Sequence, residues 1–365
     1  MRLAYDLRYA TDHFPGIGTH ANGLAGALLE RPGLESVTFI WDPRARNTRF
    51  DLEPLRRHPR ARWLEVGVPA LAMGTPAATG RLLARLSPDA YVSPFWLRPE
   101  GTRVPCVLTV FDVIPLAVGG TLSWSRRWAY RWAMRRAAGA AAVLTGSRFS
   151  RDEIARRTPI AAERLHVVPS APLPATVAPA RPARAPDVPF ALVVAADRAH
   201  KGLDTLAAAW RALGGTPPLA LVGAGAQSPG RFSLADAARG QPGVQALGPV
   251  TPAELEWLYR NATLVLVPSR YEGFGLPLLE AGSRGTAVIA SDIPALRETG
   301  EDVARFVPAG EPAAWAQAVR ELAADPAARA RMGDAGRARA AEYSFARSAE
   351  KLESLLHDLL AGVLA

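Results

Sequence analysis

The length and composition of the chain predict a globular protein of two domains. Its 365 residues exceed what one hydrophobic core usually holds, and a content of 49% hydrophobic and 21% charged residues excludes a disordered chain. The single cysteine, Cys106, excludes a disulfide framework and a cysteine-rich zinc site, while the net charge of +9 favours anionic partners.

The N-terminal segment predicts a strand, a glycine-containing loop and a helix. Met1–Ala10 has the pattern of a strand, Thr11–Thr19 that of a loop carrying Gly16 and Gly18, and leucines at helical spacing follow from His20. The first such loop of a doubly wound sheet lies at its ligand-binding edge, although a pair of glycines is also common in an ordinary turn. Charged residues stand where a signal peptide has its apolar core, and no run is apolar enough to cross a bilayer, so we expect a cytoplasmic protein.

Apolar segments continue the first half as predicted strands. They are residues 37–41, 62–66, 90–94, 104–110, 141–145 and 165–168. The fourth ends at Phe111 and Asp112, and side chains at the carboxyl end of a parallel strand face a ligand-binding crevice. Ser147 and Ser150 follow the fifth and predict the N-cap of a helix.

Residues Ser123–Ala140 predict a helix of unusual aromatic and cationic composition. Trp124, Trp128 and Trp132 recur at every fourth position, with five arginines among them. Two interpretations remain open at this point. The helix lies at a membrane interface, or its tryptophans pack on the sheet while its arginines are solvated.

A proline-rich segment, residues 171–189, separates the two halves and predicts an extended linker. The second half opens with the buried strand Phe190–Val194. A loop then carries Arg198 and Lys201 to the start of a predicted helix. Two cations at this edge are well placed to neutralise a diphosphate, although loop cations are often merely solvated.

The middle of the second half contains a further glycine loop, Gly223-Ala-Gly225. A dinucleotide-binding fingerprint needs another glycine at position 228, which is Ser228, so the usual oxidoreductase motif is excluded. Thr251 and Glu254 predict a capping box, with Tyr259 on the apolar face of the helix that follows. Both halves therefore alternate strands with helices, which predicts an α/β protein with parallel sheets.

The strongest signal is a strand, a bent turn and a helix start at residues 263–280. Gly273 and Gly275 allow a tight turn and the close approach of a ligand. The free N–H groups of the helix start suit a phosphate, and Glu272 and Glu280 suit sugar hydroxyls on either side of it. This pattern predicts a site for a nucleoside-diphosphate sugar. The alternative is an ordinary turn with solvated carboxylates.

The run Glu272-Gly-Phe-Gly-Leu-Pro with Glu280, spaced E-x7-E, resembles the signature of the retaining glycosyltransferases of family 4, the group 1 transferases. The resemblance implies the GT-B fold, in which two doubly wound Rossmann-like domains face each other across a cleft. It implies an acceptor-side domain at 1–170 and a nucleotide-sugar-binding domain at 190–345. A C-terminal helix, 346–365, is expected to cross back to the first domain.

The resemblance also implies roles for individual residues. Lys201 matches the family's Lys-Gly position and Arg198 lies a few residues from the usual Arg, so both would stabilise the diphosphate leaving group. Glu272 would orient the hexose, and Asp112 matches the family at the strand end, but Phe111 replaces the family's His beside the reacting carbon and carries no proton. The implied contacts with the nucleotide-sugar are Gly16, Gly18, Gly273, Phe274, Gly275, Leu276 and Glu280.

The predicted reaction transfers a hexose, of mannose or rhamnose type, from a nucleoside-diphosphate sugar to a hydroxyl of a glycan or lipid-linked acceptor. The resemblance implies retention of configuration and no metal or other cofactor. Peripheral contact with the inner face of the membrane is an option, and nucleic acid is not expected as a partner because no recognition module is present. Phe111 keeps open two alternatives: a non-catalytic GT-B protein that binds the nucleotide-sugar, and a nucleotide-sugar epimerase.

Overall fold

The structure is a computed structural model that describes residues 1–13, 15–72, 74–119, 123–174, 177–214, 219–225, 234, 236 and 241–362. The chain divides into two compact units. Unit 1 consists of Met1–Ala171 together with the chain from Tyr343 onwards, and unit 2 consists of Pro172–Glu342. Each unit is built on its own parallel sheet.

Unit 1 contains a sheet whose seven strands, within the described residues, run in the order β3-β2-β1-β4-β5-β6-β7. They are β1 (Arg2–Asp6), β2 (Ser36–Trp41), β3 (Ala61–Glu65), β4 (Ala90–Ser93), β5 (Cys106–Thr109), β6 (Ala142–Thr145) and β7 (Leu165–Val167). Every neighbouring pair is parallel. Strands β4, β5 and β6 are buried throughout, which explains why their sequences are mainly apolar. The six strands predicted for this half after the first are confirmed to within two residues.

One helix in the N-terminal part of unit 1 begins earlier than predicted. The α-helices described in this part are α1 (Pro15–Leu29), α2 (Glu53–Arg57), α3 (Thr75–Leu86), α4 (Ile114–Ala117), α5 (Trp124–Ala137) and α6 (Arg148–Arg157). The predicted loop through Thr19 is wrong, because proline is favoured at a first helical position and α1 begins at Pro15. Gly16 and Gly18 therefore lie in the first turns of α1, where the ring of Phe50 packs so closely that a Cβ on Gly18 would lie 2.4 Å from it.

Unit 2 contains a second parallel sheet, whose six strands within the described residues run in the order β10-β9-β8-β11-β12-β13. They are β8 (Phe190–Val194), β9 (Ala220–Ala224), β10 (Val244–Gly248), β11 (Leu264–Val267), β12 (Val288–Ser291) and β13 (Ala304–Val307). The strand order reverses at β8, which pairs with β9 on one side and β11 on the other. Ligands of such sheets bind where the carboxyl ends of strands diverge at this reversal.

The helices of unit 2 mostly begin with proline in their first turn. They are α7 (Leu203–Leu213), α8 (Pro252–Asn261), α9 (Leu276–Ser283), α10 (Pro294–Gly300), α11 (Pro312–Ala324) and α12 (Pro326–Ala341). The predicted capping box of α8 is present, since Thr251 and Glu254 exchange hydrogen bonds. Ser228, which argued against a dinucleotide fingerprint, lies outside the described residues.

Helices α9 and α12 pack backbone to backbone through a glycine seam, formed by Gly282, Gly285, Gly333 and Gly336. A Cβ on Gly333 would lie 2.1 Å from the carbonyl oxygen of Gly285, and one on Gly282 would lie 2.8 Å from that of Gly336. Real Cβ atoms do not approach a carbonyl so closely, so side chains at these positions would push the two helices apart.

The last described helix, α13 (Phe345–Leu360), belongs to unit 1, as predicted for the C-terminal helix. Phe345 fills the space above Gly23 of α1, where a Cβ would lie 2.2 Å from its ring. Glu353 accepts hydrogen bonds from the Arg31 guanidinium and the Gly33 N–H, each at 2.7 Å. The predicted helix extended to residue 365, of which residues 363–365 lie outside the described part of the chain.

The proline-rich segment belongs to unit 2 from Pro172 onwards and contains no helix or strand in its described residues. It is hydrogen-bonded to the domain that follows it. The N–H of Ala180 donates to the carbonyl of Ala253 at 3.0 Å, and the Arg184 guanidinium donates to the carbonyl of Leu247. Within the described ranges, no helix combines the length and the apolar character needed to cross a bilayer.

Candidate functional site

Lys201 and Glu272, predicted from separate motifs, meet at the carboxyl ends of two neighbouring strands of unit 2. Lys201 follows β8 and Glu272 follows β11, on either side of the reversal in strand order. The Nζ of Lys201 lies 2.5 Å from Oε1 of Glu272, and the Ser269 hydroxyl donates to the same oxygen at 2.7 Å. Two motifs 71 residues apart therefore form one site.

The site combines fixed charges of opposite sign with a neutral imidazole. Burial raises the pKa of Glu272, but the charge of Lys201 and hydrogen bonds from Lys201 and Ser269 outweigh burial and hold that pKa below its usual value. Burial and then the charge of Lys201 lower the pKa of His200 to about 4, against the opposing effect of Glu272. At neutral pH the carboxylate is ionised and the imidazole of His200 is uncharged.

The loop that carries Lys201 depends on a glycine. Gly202 has a φ of +65°, and a Cβ at this position would lie 2.1 Å from the carbonyl oxygen of Pro268, at the end of β11. Glycine alone adopts this backbone conformation without strain and leaves room for that carbonyl. Gly202 thereby brings the Lys201 loop against the strand end that leads to Glu272.

Arg270 ties the same two segments together. Its backbone N–H donates to the carbonyl of His200 at 2.7 Å, and its guanidinium donates to that of Ala199 at 3.0 Å. The guanidinium also forms a bidentate pair with Asp204 at 2.7 and 2.8 Å. Sequence reasoning missed this pair and Ser269, because their contacts link residues far apart in the chain and follow no local periodicity.

The glycine turn forms the N-terminus of α9, as its sequence predicts. Gly275 is the N-cap residue with a φ of +104°, and a Cβ there would lie 2.5 Å from the side chain of Leu296. The Thr299 hydroxyl donates to the carbonyl of Phe274 and holds the turn from the other side. Gly273 is buried within this turn, so the backbone of Gly275 and Leu276 forms a fixed helix start.

Glu280 lies on α9 and is oriented by a residue of α8. The hydroxyl of Tyr259 donates to Oε2 of Glu280 at 2.6 Å, and the tyrosine is only 2% exposed. Thr286 donates its own hydroxyl to the carbonyl of Tyr259 at 2.7 Å, which anchors the residue. Tyr259 was predicted only as part of an apolar helix face, since nothing in the sequence pairs it with Glu280. Arg198, the other predicted cation, is exposed at the start of the 3₁₀ turn Ala199–Lys201.

Within unit 1, Asp112 shapes the turn between β5 and α4. Its carboxylate accepts a hydrogen bond from the N–H of Ile114 at 3.0 Å, and its carbonyl accepts one from the Tyr130 hydroxyl at 3.1 Å. Among the described residues, a Cβ on Gly16 would meet no atom within 4 Å, so none of them requires glycine at that position for steric reasons. The site roles predicted for Asp112, Gly16 and Gly18 stay predictions.

Phe111 contacts a buried histidine that sequence reasoning had not singled out. The rings of His20 and Phe111 meet edge to face with their centroids 5.0 Å apart, and Phe345 packs on the other side at 6.1 Å. His20 is 1% exposed, and neither ring nitrogen has a hydrogen-bond partner among the described residues. Burial lowers the pKa of His20 from 6.5 to about 4.

We expect His20→Leu to stabilise unit 1, most strongly in acid. In the unfolded chain His20 is protonated below about pH 6.5, whereas in the folded chain it is protonated only below about pH 4. The free energy of unfolding therefore falls as the pH drops from 6.5 to 4. The variant should unfold with a free energy about 1 kcal/mol higher at pH 7 and about 4 kcal/mol higher near pH 4, where the proton linkage adds about 3 kcal/mol. Urea unfolding between pH 7 and 4 measures both, and an unchanged slope of stability against pH would contradict the assignment.

Among the described residues, no three His, Cys, Asp or Glu side chains lie close enough together to hold a metal ion. The expected absence of a metal cofactor stays a prediction.

Two family profiles together match most of the chain. The profile "Glycosyltransferase Family 4" matches residues 15–171, and the profile "Glycosyl transferases group 1" matches residues 177–339. These ranges contain the predicted site residues of both units.

Individual relatives match a shorter part of the sequence. The D-inositol 3-phosphate glycosyltransferase of Corynebacterium diphtheriae is 39% identical over 121 residues, which cover 32% of this chain and 27% of that protein. The enzyme of the same name from Nocardia farcinica is 41% identical over 111 residues, or 30% of this chain and 25% of the relative. The similarity therefore spans less than a third of either relative's length.

Solved structures resemble the whole chain. Sucrose-phosphate synthase from Thermosynechococcus elongatus has a TM-score of 0.75 at 20% identity, with 99% of this chain and 100% of that chain covered. Anabaena HepE in complex with UDP and glucose has a TM-score of 0.69 at 15% identity, with 98% and 100% covered. At such identities the likeness shows the fold alone. Since the two profiles account for both halves of the sequence, the chain belongs to the family 4, group 1 glycosyltransferases of GT-B fold.

Proposed function

We propose that the protein transfers a hexose from a nucleoside-diphosphate sugar to a hydroxyl of a glycan or lipid-linked acceptor, with retention of configuration. Unit 2 binds the donor and unit 1 the acceptor. The observation that carries this proposal is the contact of Lys201 with the buried carboxylate of Glu272, where strand order reverses. A cation and an anion fixed side by side suit a ligand with phosphates next to a hydroxyl-rich ring.

Each group of the donor has a partner of matching chemistry. Lys201, Arg198 and the N–H groups of Gly275 and Leu276 face the diphosphate. Glu272 accepts both of its described hydrogen bonds on Oε1, so Oε2 has no hydrogen bond within the described residues and takes the hexose hydroxyls. The Tyr259 hydroxyl holds Glu280 in position to accept from the ribose diol.

The reaction breaks the bond between the anomeric carbon and the diphosphate oxygen, and a new bond forms from the acceptor oxygen to that carbon. Negative charge grows on the departing diphosphate, where Lys201 and Arg198 stabilise it. The acceptor hydroxyl passes its proton to the leaving phosphate oxygen on the same face of the sugar. This route needs no enzymic base, so it is compatible with Phe111 in place of a histidine.

The donor proposal is tested by thermal shift and by titration with nucleotide-sugars. The panel contains UDP-glucose, because Anabaena HepE was solved with UDP and glucose, together with GDP-mannose and dTDP-rhamnose. A donor that binds only the folded state raises the free energy of unfolding by about 2.7 kcal/mol at a concentration of one hundred times Kd. The unfolding temperature rises as a result. If none of these donors shifts the unfolding temperature at millimolar concentration, the proposed donor class is wrong.

Tyr259→Phe should weaken donor binding about tenfold, because Glu280 then loses the hydroxyl that orients it. Tyr5→Phe is a matched control, since it also removes a buried tyrosine hydrogen bond, to the carbonyl of Ala21 in unit 1. Isothermal titration should find the donor Kd changed only in the first variant. Equal Kd values for both variants would give Tyr259 a purely structural role.

Phe111 favours a second candidate, a GT-B protein that binds the nucleotide-sugar without turning it over. The two candidates share the donor site and differ in chemistry. Incubation with a binding donor and a mixture of candidate acceptors, followed by detection of free nucleoside diphosphate, separates them. Release of the diphosphate supports the transferase, whereas binding without release supports the second candidate, and a donor epimer formed without acceptor would indicate an epimerase.

A further inference from the structure

Helix α5 exposes a row of three tryptophans on the surface of unit 1. Trp124, Trp128 and Trp132 are 82%, 57% and 45% exposed. The interpretation in which they pack on the sheet is therefore wrong. The residues that α5 buries are instead Tyr130, Ala133, Met134 and Ala137. Large aromatic side chains are rarely left in water in such a row, and an exposed apolar patch of this kind is typical of a binding surface.

The same face of α5 carries cations. At 100° per residue, Arg131 and Arg135 fall within the tryptophan row, in a stripe about 100° wide that lies opposite the buried residues. Both arginines are exposed. The sequence of α5 contains no Asp or Glu. The exposed stripe is therefore aromatic and purely cationic.

The stripe is preformed, because the opposite side of α5 is anchored in unit 1. The hydroxyl of Tyr130 donates to the carbonyl of Asp112 at 3.1 Å, and Arg127 donates to that of Leu116 at 3.3 Å. Arg136 forms an ion pair with Glu100 at 2.8 Å while its guanidinium lies 4.9 Å from the ring centre of Trp132. Because α5 is already held in one orientation, binding a partner would cost little conformational entropy in the helix.

We propose that the exposed stripe of α5 binds unit 1 to the surface of a lipid bilayer that contains anionic lipids. Indole rings settle at the boundary between headgroups and acyl chains, with an apolar body and a polar N–H. Arginines on the same face pair with anionic headgroups, and each is worth roughly a fivefold gain in partitioning. The overall charge of +9 acts in the same direction. Vesicle binding requires neither donor nor turnover, so this proposal and the transferase proposal can fail separately.

Two other occupants fit the stripe less well. A second copy of the chain, in a two-fold symmetric contact, would bring two purely cationic stripes together, and like charges oppose such a contact. Single-stranded nucleic acid is usually held in a basic groove lined with stacking aromatics, whereas this stripe lies on the outer face of a helix. Both occupants are kept as outcomes of the test.

The test is co-sedimentation of the full chain with vesicles of phosphatidylcholine, with and without 30% phosphatidylglycerol. We expect binding to the anionic vesicles that falls on the order of 30-fold in Arg131→Gln/Arg135→Gln. The triple variant Trp124→Ser/Trp128→Ser/Trp132→Ser should lose binding and the blue shift of tryptophan fluorescence. The control Arg85→Gln/Arg331→Gln removes the same charge from exposed positions on α3 and α12 and should bind as the unchanged protein does.

Several results would overturn the proposal. One is equal sedimentation of the unchanged protein and the tryptophan variant, with circular dichroism showing that both are folded. Another is a chain that dimerises, or that binds a single-stranded oligonucleotide more tightly than vesicles, through the same tryptophans. A loss in the control variant equal to that in Arg131→Gln/Arg135→Gln would show general charge attraction instead of a specific surface.

Discussion

Replacing Lys201 with Ala is expected to lower kcat for hexose transfer by about 10²–10³-fold. A preorganised cation that meets charge developing on a leaving group usually contributes this much. Lys201 is already fixed by its 2.5 Å contact with Glu272, so it needs little reorganisation as the diphosphate departs. Steady-state kinetics with a donor found by the binding panel measure the effect, with kcat and KM determined separately.

The sequence provides a matched control for this experiment. Lys201 and Lys351 are the only lysines in the chain, and Lys351 is exposed on α13 in unit 1. Lys351→Ala should leave kcat unchanged. Lys201→Ala also leaves the carboxyl of Glu272 buried without its cation, so the pKa of Glu272 should rise relative to that in the unchanged protein. Turnover retained at the level of the unchanged protein in Lys201→Ala would remove Lys201 from the mechanism.

Gly202→Ala should destabilise unit 2 by about 3 kcal/mol or more and weaken donor binding at the same time. A non-glycine residue in the left-handed region costs about 1–2 kcal/mol by itself. The new Cβ would also lie 2.1 Å from the Pro268 carbonyl oxygen, so the Lys201 loop must move away from the end of β11. Urea unfolding measures the first effect, and donor titration measures the second.

Gly310→Ala separates the two contributions. Gly310 belongs to the same unit and has a φ of +82°, but within the described part of the chain a Cβ there would meet only the Arg270 side chain, at an ordinary 3.9 Å. Gly310→Ala should lose only the stability that the left-handed backbone conformation costs a non-glycine residue, and its affinity for the donor should be unchanged. Equal losses of stability in the two variants would mean that the close approach of Gly202 to Pro268 contributes nothing.

The sequence predicts those parts of the fold and site that depend on residues close together in the chain. The strands were found because parallel strands buried on both faces are unbroken apolar runs. The turn from Glu272 to Leu276 was found because its glycines and its helix-opening proline stand next to each other. The start of α1 was misplaced, because Gly16 and Gly18 favour a loop in isolation and the packing of Phe50 against Gly18 is a tertiary contact.

What the sequence could not provide are contacts between distant segments. The pairing of Arg270 with Asp204 and that of Tyr259 with Glu280 join different strand–helix units and leave no periodic trace. Helices α11 and α12 were not predicted at all. Helix α12 is rich in alanine, glycine and arginine, so its sequence lacks the contrast between apolar and polar faces on which helix prediction depends.

The glycine seam between α9 and α12 restricts how the proposed donor site can adapt. Two backbones in direct contact have no side chains between them that could change rotamer and let one helix slide past the other. We therefore expect α9 to keep its position when different nucleotide-sugars bind. The loop around Lys201 and individual side chains would then make the adjustments. Selectivity among donors should accordingly be easier to alter by changing residues 195–201 than by changing α9 itself.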